Sequence, residues 1–188
     1  MIDTFRFLFP NIGNQQTVRT FLQQKGLKET SDNSKSTLLI MNGVGHVDSV
    51  LGDNQSISNQ LASHLDMGGR ILAICLGLQT LFSSNEESKF NRCLGLFEGK
   101  VQKMPNGLNV GYKRVRSSGK SFEAYFQNLY GVKLEEHMQA YEHIEFFEVA
   151  EVKYLAAFAT KNIYAYQYHP ELSGKDVAEE VAKRIGIT

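Results

Sequence analysis

Cysteine is scarce in this sequence, and its scarcity limits the kinds of protein that the chain can form. Only two cysteines, Cys75 and Cys93, occur in 188 residues, and both lie among apolar residues rather than in a short-spaced cysteine framework. A disulfide-stapled scaffold is therefore excluded, and we expect a reducing compartment. We expect no metal and no cofactor, because zinc-type spacing to cysteine or carboxylate partners is lacking at His46, His64, His137 and His143.

An excess of charge of either sign is also missing. Lys and Arg together number 20, as do Asp and Glu, so the formal net charge is zero and gives no whole-chain attraction to nucleic acid or acidic membranes. No apolar run approaches the roughly 20 residues that cross a bilayer, and residues 1–9 lack the features of a signal peptide. The acidic pair Glu86-Glu87 is interpreted as solvated charge. We expect a cytoplasmic protein with no nucleic-acid or membrane partner.

Short apolar runs alternate with longer amphipathic stretches in the first half of the chain, as in βαβ units. The sequence therefore predicts an α/β fold, with a central, mostly parallel sheet flanked by helices and an additional small antiparallel region. No linker or repeat divides the chain, so we expect one domain over residues 1–188. Predicted helices cover residues 15–25, 58–65, 78–82 and 175–185. Predicted strands cover residues 5–9, 37–41, 71–74, 122–130, 144–152, 154–159 and 163–168, with short strands and turns over 95–115.

Cys75 lies where a predicted strand meets a predicted helix. The apolar run 71–74 stops at Cys75, and helical character continues after Gly77. Open α/β sheets carry functional sites at such junctions, and a helix N-terminus favours the thiolate over the thiol. The small residues Ala73 and Gly77 allow a tight elbow. A lone cysteine in an apolar run is more often structural, which is our interpretation of Cys93, so Cys75 needs a second element to qualify as a nucleophile.

A candidate base and its partner follow the last predicted strand. His169 comes directly after the run 163–168, Pro170 stops strand pairing, and Glu171 is two residues further on. An imidazole beside a thiol accepts its proton and later protonates the leaving group, while a carboxylate orients the ring. His-Pro-Glu alone is a weak motif that also suits a surface strand end. Combined with the elbow, it predicts a catalytic triad of Cys75, His169 and Glu171.

A glycine-bearing turn, Gly43-Val44-Gly45, follows the predicted strand 37–41. Two glycines around one valine allow a peptide plane to turn its N–H group toward a developing oxyanion. A plain turn between a strand and a loop explains the spacing equally well. The position of the turn after a strand, beside the predicted elbow, favours an oxyanion hole.

Several segments, in this order along the chain, resemble class I, triad-type glutamine amidotransferases, and among these the glutaminase subunit of imidazole glycerol phosphate synthase. They include Asn-Gly-Val-Gly at 42–45, Ile-Cys-Leu-Gly-Leu-Gln at 74–79, Leu-Gly-Leu-Phe-Glu-Gly-Lys-Val at 94–101 and Gln-Tyr-His-Pro-Glu-Leu-Ser-Gly at 167–174. Segments 9–14, 111–115 and 125–130 add to the resemblance, which covers nearly the whole chain. No single segment is specific, but the ordered set is, and it implies the single-domain fold of that family.

The resemblance implies an enzyme that hydrolyses L-glutamine to glutamate and ammonia through a glutamyl thioester on Cys75. It implies an oxyanion hole formed by peptides of Gly43, Val44 and Gly45 and by the N–H group of Leu76. It implies substrate contacts from Gly45, Gln79, Gln127, Asn128 and Leu129. In the family the ammonia passes to a partner synthase with a (β/α)₈-barrel fold, so we expect a heterodimer that channels ammonia, as in histidine biosynthesis.

Some positions depart from the family pattern. Asn42 replaces the usual proline, Tyr112-Lys113 replaces Trp-Asn, and Leu172 stands where a partner-facing lysine is common. No triad member is lost, but the acceptor of the ammonia stays open. A paralogue that supplies a sugar amidotransferase in surface-polysaccharide biosynthesis is as well supported as a subunit for histidine biosynthesis. A non-catalytic, glutaminase-like regulatory subunit and a cysteine hydrolase of another substrate are further alternatives.

Overall fold

The computed structural model describes residues 2–9, 12–32, 34–52, 54–90 and 93–187; residues 10 and 11, in the first family-like segment, lie outside these ranges. The described residues form the helices α1 (Gln15–Gln24), α2 (Asn54–Asp66), α3 (Leu76–Thr80) and α4 (Lys175–Ile185). They also form the strands β1 (Thr4–Phe7), β2 (Lys28–Glu29), β3 (Leu38–Met41), β4 (Arg70–Ile74), β5 (Phe82–Asn85), β6 (Phe97–Lys103), β7 (Asn109–Ser117), β8 (Lys120–Asn128), β9 (Tyr130–Val132), β10 (His143–Val149), β11 (Val152–Ala159) and β12 (Ile163–Tyr166).

Nine strands form one large sheet in the order β2-β1-β3-β4-β12-β11-β10-β7-β8. Pairing is parallel from β2 to β12 and antiparallel from β12 to β8. A smaller sheet has the order β5-β6-β9, in which β6 and β9 are antiparallel. The predicted α/β fold, with helices around a central sheet and an added antiparallel region, is confirmed.

Helices cover both faces of the parallel half, which explains why its strands β3 and β12 are buried along their whole length. All four residues of β3 are buried. Leu22 of α1 and Ile185 of α4 pack in the core on one face of the sheet, and Leu61 of α2 packs in the core on the other. Burial of such a side chain stabilises the fold by roughly 1.5–3 kcal/mol. Within the described ranges, no helix has the length and apolar character needed to cross a membrane.

The predicted strand 144–152 is wrong, because the chain reverses direction within it. β10 and β11 pair as antiparallel strands with Val149 opposite Val152. Between them, Ala150 and Glu151 both have left-handed backbones, with φ of 49° and 64°, as a tight two-residue hairpin turn requires. Asn and Gly are the usual residues of such turns, so Ala-Glu gave the sequence no turn signal.

Several other element boundaries also differ from the prediction. The predicted helix 58–65 begins earlier, at Asn54, and the predicted helix 78–82 begins at Leu76. The predicted strand 122–130 divides at Leu129, where the chain passes from β8 in the large sheet to β9 in the small one. The last predicted helix, 175–185, matches α4 at both ends.

The carboxyl ends of β3, β4 and β12 meet at one edge of the large sheet. β4 lies between the other two and pairs with both in parallel, so that Ala73 faces Met41 on one side and Ala165 on the other. The chain continues from these strands to the glycine-bearing turn, to Cys75 and to His169. Open parallel sheets hold their ligands at this edge.

Gly77 is the position at this edge where a side chain fits least. A Cβ atom there would lie 1.8 Å from the carbonyl oxygen of Met41, which belongs to the backbone of β3. We expect Gly77→Ala to lower the free energy of unfolding by about 3 kcal/mol, because the elbow has to move away from β3. Gly52→Ala is the matched control, since no described atom outside its chain neighbours lies within 4 Å of the added Cβ position. Urea unfolding that gave both variants the same stability would contradict this account.

Candidate active site

Cys75 occupies a sharp turn between β4 and α3. Its backbone has φ 53° and ψ −108°, which costs a residue with a Cβ atom on the order of 1–3 kcal/mol. Two hydrogen bonds hold the turn: the Cys75 N–H donates to the Tyr166 carbonyl at 2.7 Å, and the Cys75 carbonyl accepts from the Gln79 N–H at 3.1 Å. The strain is therefore maintained by β12 on one side and α3 on the other.

The Cys75 thiol lies beside two polar groups. Its Sγ atom is 3.7 Å from the carbonyl oxygen of Gln127 and 3.7 Å from Nε2 of Gln167, which donates toward the sulfur. Gln167 is fully buried, and its Oε1 accepts from Nε2 of Gln79 at 3.0 Å. This bond fixes the Gln167 amide with its N–H₂ group toward Cys75. The sulfur thus has a hydrogen-bond donor on one side, at Gln167, and an acceptor on the other, at the Gln127 carbonyl.

His169 and Glu171 form a buried pair just beyond β12. Nδ1 of His169 lies 2.9 Å from Oε1 of Glu171, and both side chains are fully buried. The backbone is held as well, because the His169 N–H donates to the Tyr125 carbonyl at 2.8 Å and Oγ of Ser173 donates to the His169 carbonyl at 2.6 Å. In the described part of the chain, Nε2 of His169 has no hydrogen-bond partner at normal distance. That nitrogen is therefore available for proton transfer.

The pKa of His169 reflects its two partners. Burial by itself lowers the pKa of the imidazole, but the nearby Cys75 and the hydrogen bond and charge of Glu171 outweigh it and raise the pKa to about 10. The protons of such a pair are shared between both groups. Glu171 lies where its carboxylate stabilises the charged form of the His169 ring.

The glycine-bearing turn lies against the start of α3. The N–H group of Leu76, predicted to be an oxyanion donor, donates at 3.4 Å to the carbonyl oxygen of Gly43. Gly45 has φ 149°, in the region that favours glycine. In this conformation a carbonyl oxygen occupies the donor, and an oxyanion placed there would be repelled. The predicted oxyanion residues are thus close together, but the turn presents the wrong group to the substrate.

A cavity of about 170 Å³ opens in front of Cys75. It is lined by the predicted oxyanion and substrate residues, namely Gly43, Val44, Gly45, Leu76, Gln79, Gln127, Asn128 and Leu129, together with Cys75, Glu87, Leu108 and Tyr130. His169 and Glu171 are not among the lining residues, and both side chains are fully buried. Every residue predicted to contact glutamine therefore borders one space.

Two of the predicted substrate residues are already hydrogen-bonded within the protein. Nε2 of Gln79 donates to the Tyr130 carbonyl at 2.9 Å, and Nδ2 of Asn128 donates to the same carbonyl at 2.9 Å. Oδ1 of Asn128 accepts from Nδ2 of Asn109 at 3.1 Å. In this conformation both amides shape the wall of the cavity rather than extend into it.

Three polar residues at the site were not predicted from the sequence. Glu87 is the one carboxylate among the described residues that line the cavity. We had expected its charge to be solvated, but it accepts a hydrogen bond from the Val47 N–H at 2.9 Å. Gln167 contacts the thiol, and Asn14 contacts both His169 and Glu171. Each contacts a residue at least 40 positions away in the sequence. Local sequence patterns do not indicate such contacts.

Comparison with known proteins gives consistent matches over nearly the whole chain. A family model described as glutamine amidotransferase class-I matches residues 12–187. Imidazole glycerol phosphate synthase subunit HisH of Pyrococcus furiosus is 29% identical over 181 residues, which cover 88% of this chain and 89% of that protein. Imidazole glycerol phosphate synthase subunit HisH of Prochlorococcus marinus is 30% identical over an alignment of 194 positions, which covers 92% of each protein.

Solved structures share the fold. A crystal structure described as a glutamine amidotransferase aligns with a TM-score of 0.70 over 97% of this chain and 98% of that one, at 17% identity. A structure described as PurLQS from Thermotoga maritima aligns with a TM-score of 0.66 over 98% of both chains, at 15% identity. At such identities the likeness concerns the fold alone.

The two cysteines should differ in reactivity. Burial raises the pKa of Cys93 to about 12, so only about 10⁻⁵ of this thiol is ionised at pH 7. We expect iodoacetamide at neutral pH to modify Cys75 and to spare Cys93, as read by peptide mapping with mass spectrometry. Cys75→Ala is the control and should remove rapid labelling. Preferential modification of Cys93 would contradict the assignment of the reactive thiol.

Proposed function

Because the chain belongs to the class I glutamine amidotransferases, we propose that it is a glutaminase subunit that hydrolyses L-glutamine and passes the ammonia to a partner synthase. The observation that carries the proposal is the buried pair of His169 and Glu171, 2.9 Å apart at the end of β12, beside a cysteine held on the elbow at the end of β4. A nucleophile, a base and an orienting carboxylate are the parts that acyl transfer requires.

The geometry supports a two-step reaction. The Cys75 thiolate attacks the side-chain amide carbon of glutamine, and His169 gives its Nε2 proton to the departing ammonia, which leaves a glutamyl thioester. Neutral His169 then takes a proton from water, the resulting hydroxide attacks the thioester, and glutamate leaves as the thiolate and imidazolium are restored. Glu171 keeps Nδ1 of His169 protonated, so that Nε2 exchanges the proton in both steps.

The cavity offers complementary groups for the rest of the substrate. As a carboxylate at the wall, Glu87 is the group best suited to receive the α-ammonium of glutamine. Backbone of Gln127, Asn128 and Leu129 borders the same space and would receive the α-carboxylate. Recognition of both charged ends would select a free amino acid over a glutamine within a peptide, whose α-groups are neutral.

The relatives support a particular setting. Those named above are subunits of imidazole glycerol phosphate synthase, and they match along almost their whole length. We therefore propose a cytoplasmic heterodimer with a (β/α)₈-barrel synthase of histidine biosynthesis. The sugar-amidotransferase alternative is favoured by the surface beside the site, where Tyr112 is 56% exposed and its hydroxyl donates to the carbonyl of Leu172 at 3.0 Å. Both residues depart from the family pattern, and Leu172 stands where a partner-facing lysine is common.

The triad should respond unequally to substitution. We expect Cys75→Ala and His169→Asn each to lower kcat for glutamine hydrolysis by at least about 10³-fold, and Glu171→Gln by a smaller factor, because residues that act as a unit do not contribute additively. Glutamate release is measured with the partner present, and circular dichroism verifies folding. Equal and small effects of all three substitutions would exclude the triad. They would favour a non-catalytic subunit or a hydrolase of another substrate.

The isolated chain should be a poor glutaminase. The Gly43 carbonyl lies against the Leu76 N–H group, and a missing oxyanion donor costs on the order of 10²–10³ in rate. A partner that binds the reoriented turn more tightly would restore this factor. Steady-state rates should be measured alone and then with saturating barrel protein, either from a histidine-type or from a sugar-type synthase. The barrel protein that accelerates glutamate release identifies the pathway, whereas full activity of the chain alone would reject the gating of the turn.

A further inference from the structure

We propose that Asn14 is a positioning residue of the triad and that Asn42 sets the orientation of its amide; the inference rests on the proposed function. Neither residue belongs to the predicted catalytic or substrate-binding set. Both lie at the ends of elements that meet beside the buried pair: Asn14 directly before α1, and Asn42 directly after β3. Together they form a chain of side-chain amides that ends on Glu171.

Asn14 does not perform the role that its position in the sequence suggests. It is the N-cap residue of α1, where an asparagine side chain usually accepts from the first free N–H groups and stabilises the helix by about 1 kcal/mol. Among the described residues, no such side-chain bond is made at this cap. Only the backbone carbonyl of Asn14 receives helix donors, from Thr17 and Val18. The amide is turned away from the helix that it begins.

The amide is directed at the buried pair instead. Nδ2 of Asn14 donates to Oε1 of Glu171 and lies 3.1 Å from Nδ1 of His169. Because Nδ1 of His169 carries the proton it gives to Glu171, it cannot also accept from Asn14. Two donors therefore converge on one carboxylate oxygen. The other, Oε2, is buried without a partner among the described residues, so removal of Asn14 would leave the carboxylate held by His169 alone.

Asn42 decides which end of the Asn14 amide faces the carboxylate. Its Nδ2 lies 3.4 Å from Oδ1 of Asn14 and donates to it. With Oδ1 engaged in this way, the N–H₂ group of Asn14 points at Glu171, which as a carboxylate can only accept. The reversed amide would set two acceptors against each other at Glu171 and two donors against each other at Asn42. Asn42 thus stabilises the orientation that the triad needs.

The burial of Asn42 lowers the stability of the fold. The residue is fully buried, and its Oδ1 has no partner among the described residues, which costs a buried polar atom about 1–3 kcal/mol. Asn42 also directly precedes Gly43, so a reorientation of the glycine-bearing turn would move the base of its side chain. The two asparagines therefore connect the oxyanion turn with the imidazole through hydrogen bonds that do not include the substrate.

The test measures the reactivity of Cys75 across pH in the full chain, with Cys93→Ala as the parent so that a single thiol reports. Four variants are compared with that parent: Asn14→Ala, Asn14→Ser, Asn42→Ala and the matched control Asn59→Ala, whose side chain is exposed on α2. Iodoacetamide is the probe, so neither glutamine nor a partner is needed. Thermal unfolding is followed for each variant.

We expect Asn14→Ala and Asn14→Ser to lower the modification rate at pH 7 by about tenfold or more, because a misplaced Glu171 no longer holds the imidazolium beside the thiolate. When its carboxylate partner is misplaced, the pKa of His169 falls, and less imidazolium remains to stabilise the thiolate. The rise of the modification rate with pH should therefore move to higher pH in both variants. Asn42→Ala should show the same shift with a smaller size, and Asn59→Ala none. Serine caps helices well, so Asn14→Ser should unfold at a temperature no lower than the parent.

The outcomes separate the inference from the proposed function. A parent whose modification rate follows the ionisation of an isolated thiol would overturn the triad itself. If the parent's modification rate rises at a lower pH than an isolated thiol requires, and both Asn14 variants show the same profile, the positioning role is overturned but the triad is not. Loss of reactivity in Asn14→Ser that is accompanied by a lower unfolding temperature would assign Asn14 an ordinary structural role and would also overturn it.

Discussion

The left-handed backbone at Cys75 is the constraint on which the rest of the site depends. A residue with a Cβ atom adopts this conformation only where the surroundings impose it, and here the hydrogen bond to Tyr166 and the close packing of Gly77 on β3 do so. The parallel pairing of β4 with both neighbours fixes the position of the elbow relative to them. The sulfur of Cys75 is therefore located by the sheet rather than by a loop.

The buried pair behind the elbow depends on the same sheet. Removing a carboxylate and an imidazole from water is unfavourable unless each finds partners, and His169 and Glu171 find them in one another, in Asn14 and in Cys75. The backbone bonds of His169 to β8 and to Ser173 hold the ring in place without using its nitrogen atoms. Burial opposes the charged form of His169, and its interactions with Cys75 and Glu171 offset that cost.

The sequence was most informative about candidate site residues that directly follow a predicted strand. Cys75 and His169 each follow an apolar run, and the elbow and strand-end rules locate both without knowledge of the tertiary structure. Asn14 and Glu87 could not be found in this way, because one has the pattern of a helix cap and the other that of solvated charge. The turn at Ala150 escaped prediction for another reason, since its residues carry none of the usual turn preferences. Contacts with residues far apart in the sequence place Asn14 and Glu87 at the site.

The central claim is that Cys75 attacks glutamine and carries the acyl group, with His169 as its proton donor and acceptor. Acid quenching of the chain and its partner during turnover with glutamine, followed by intact-mass measurement and peptide mapping, tests the claim directly, because it detects the covalent intermediate itself. The account predicts a glutamyl thioester on the peptide that contains Cys75, which accumulates when hydrolysis is slowed. Turnover without any acylated cysteine, or with the acyl group on Cys93, would contradict it.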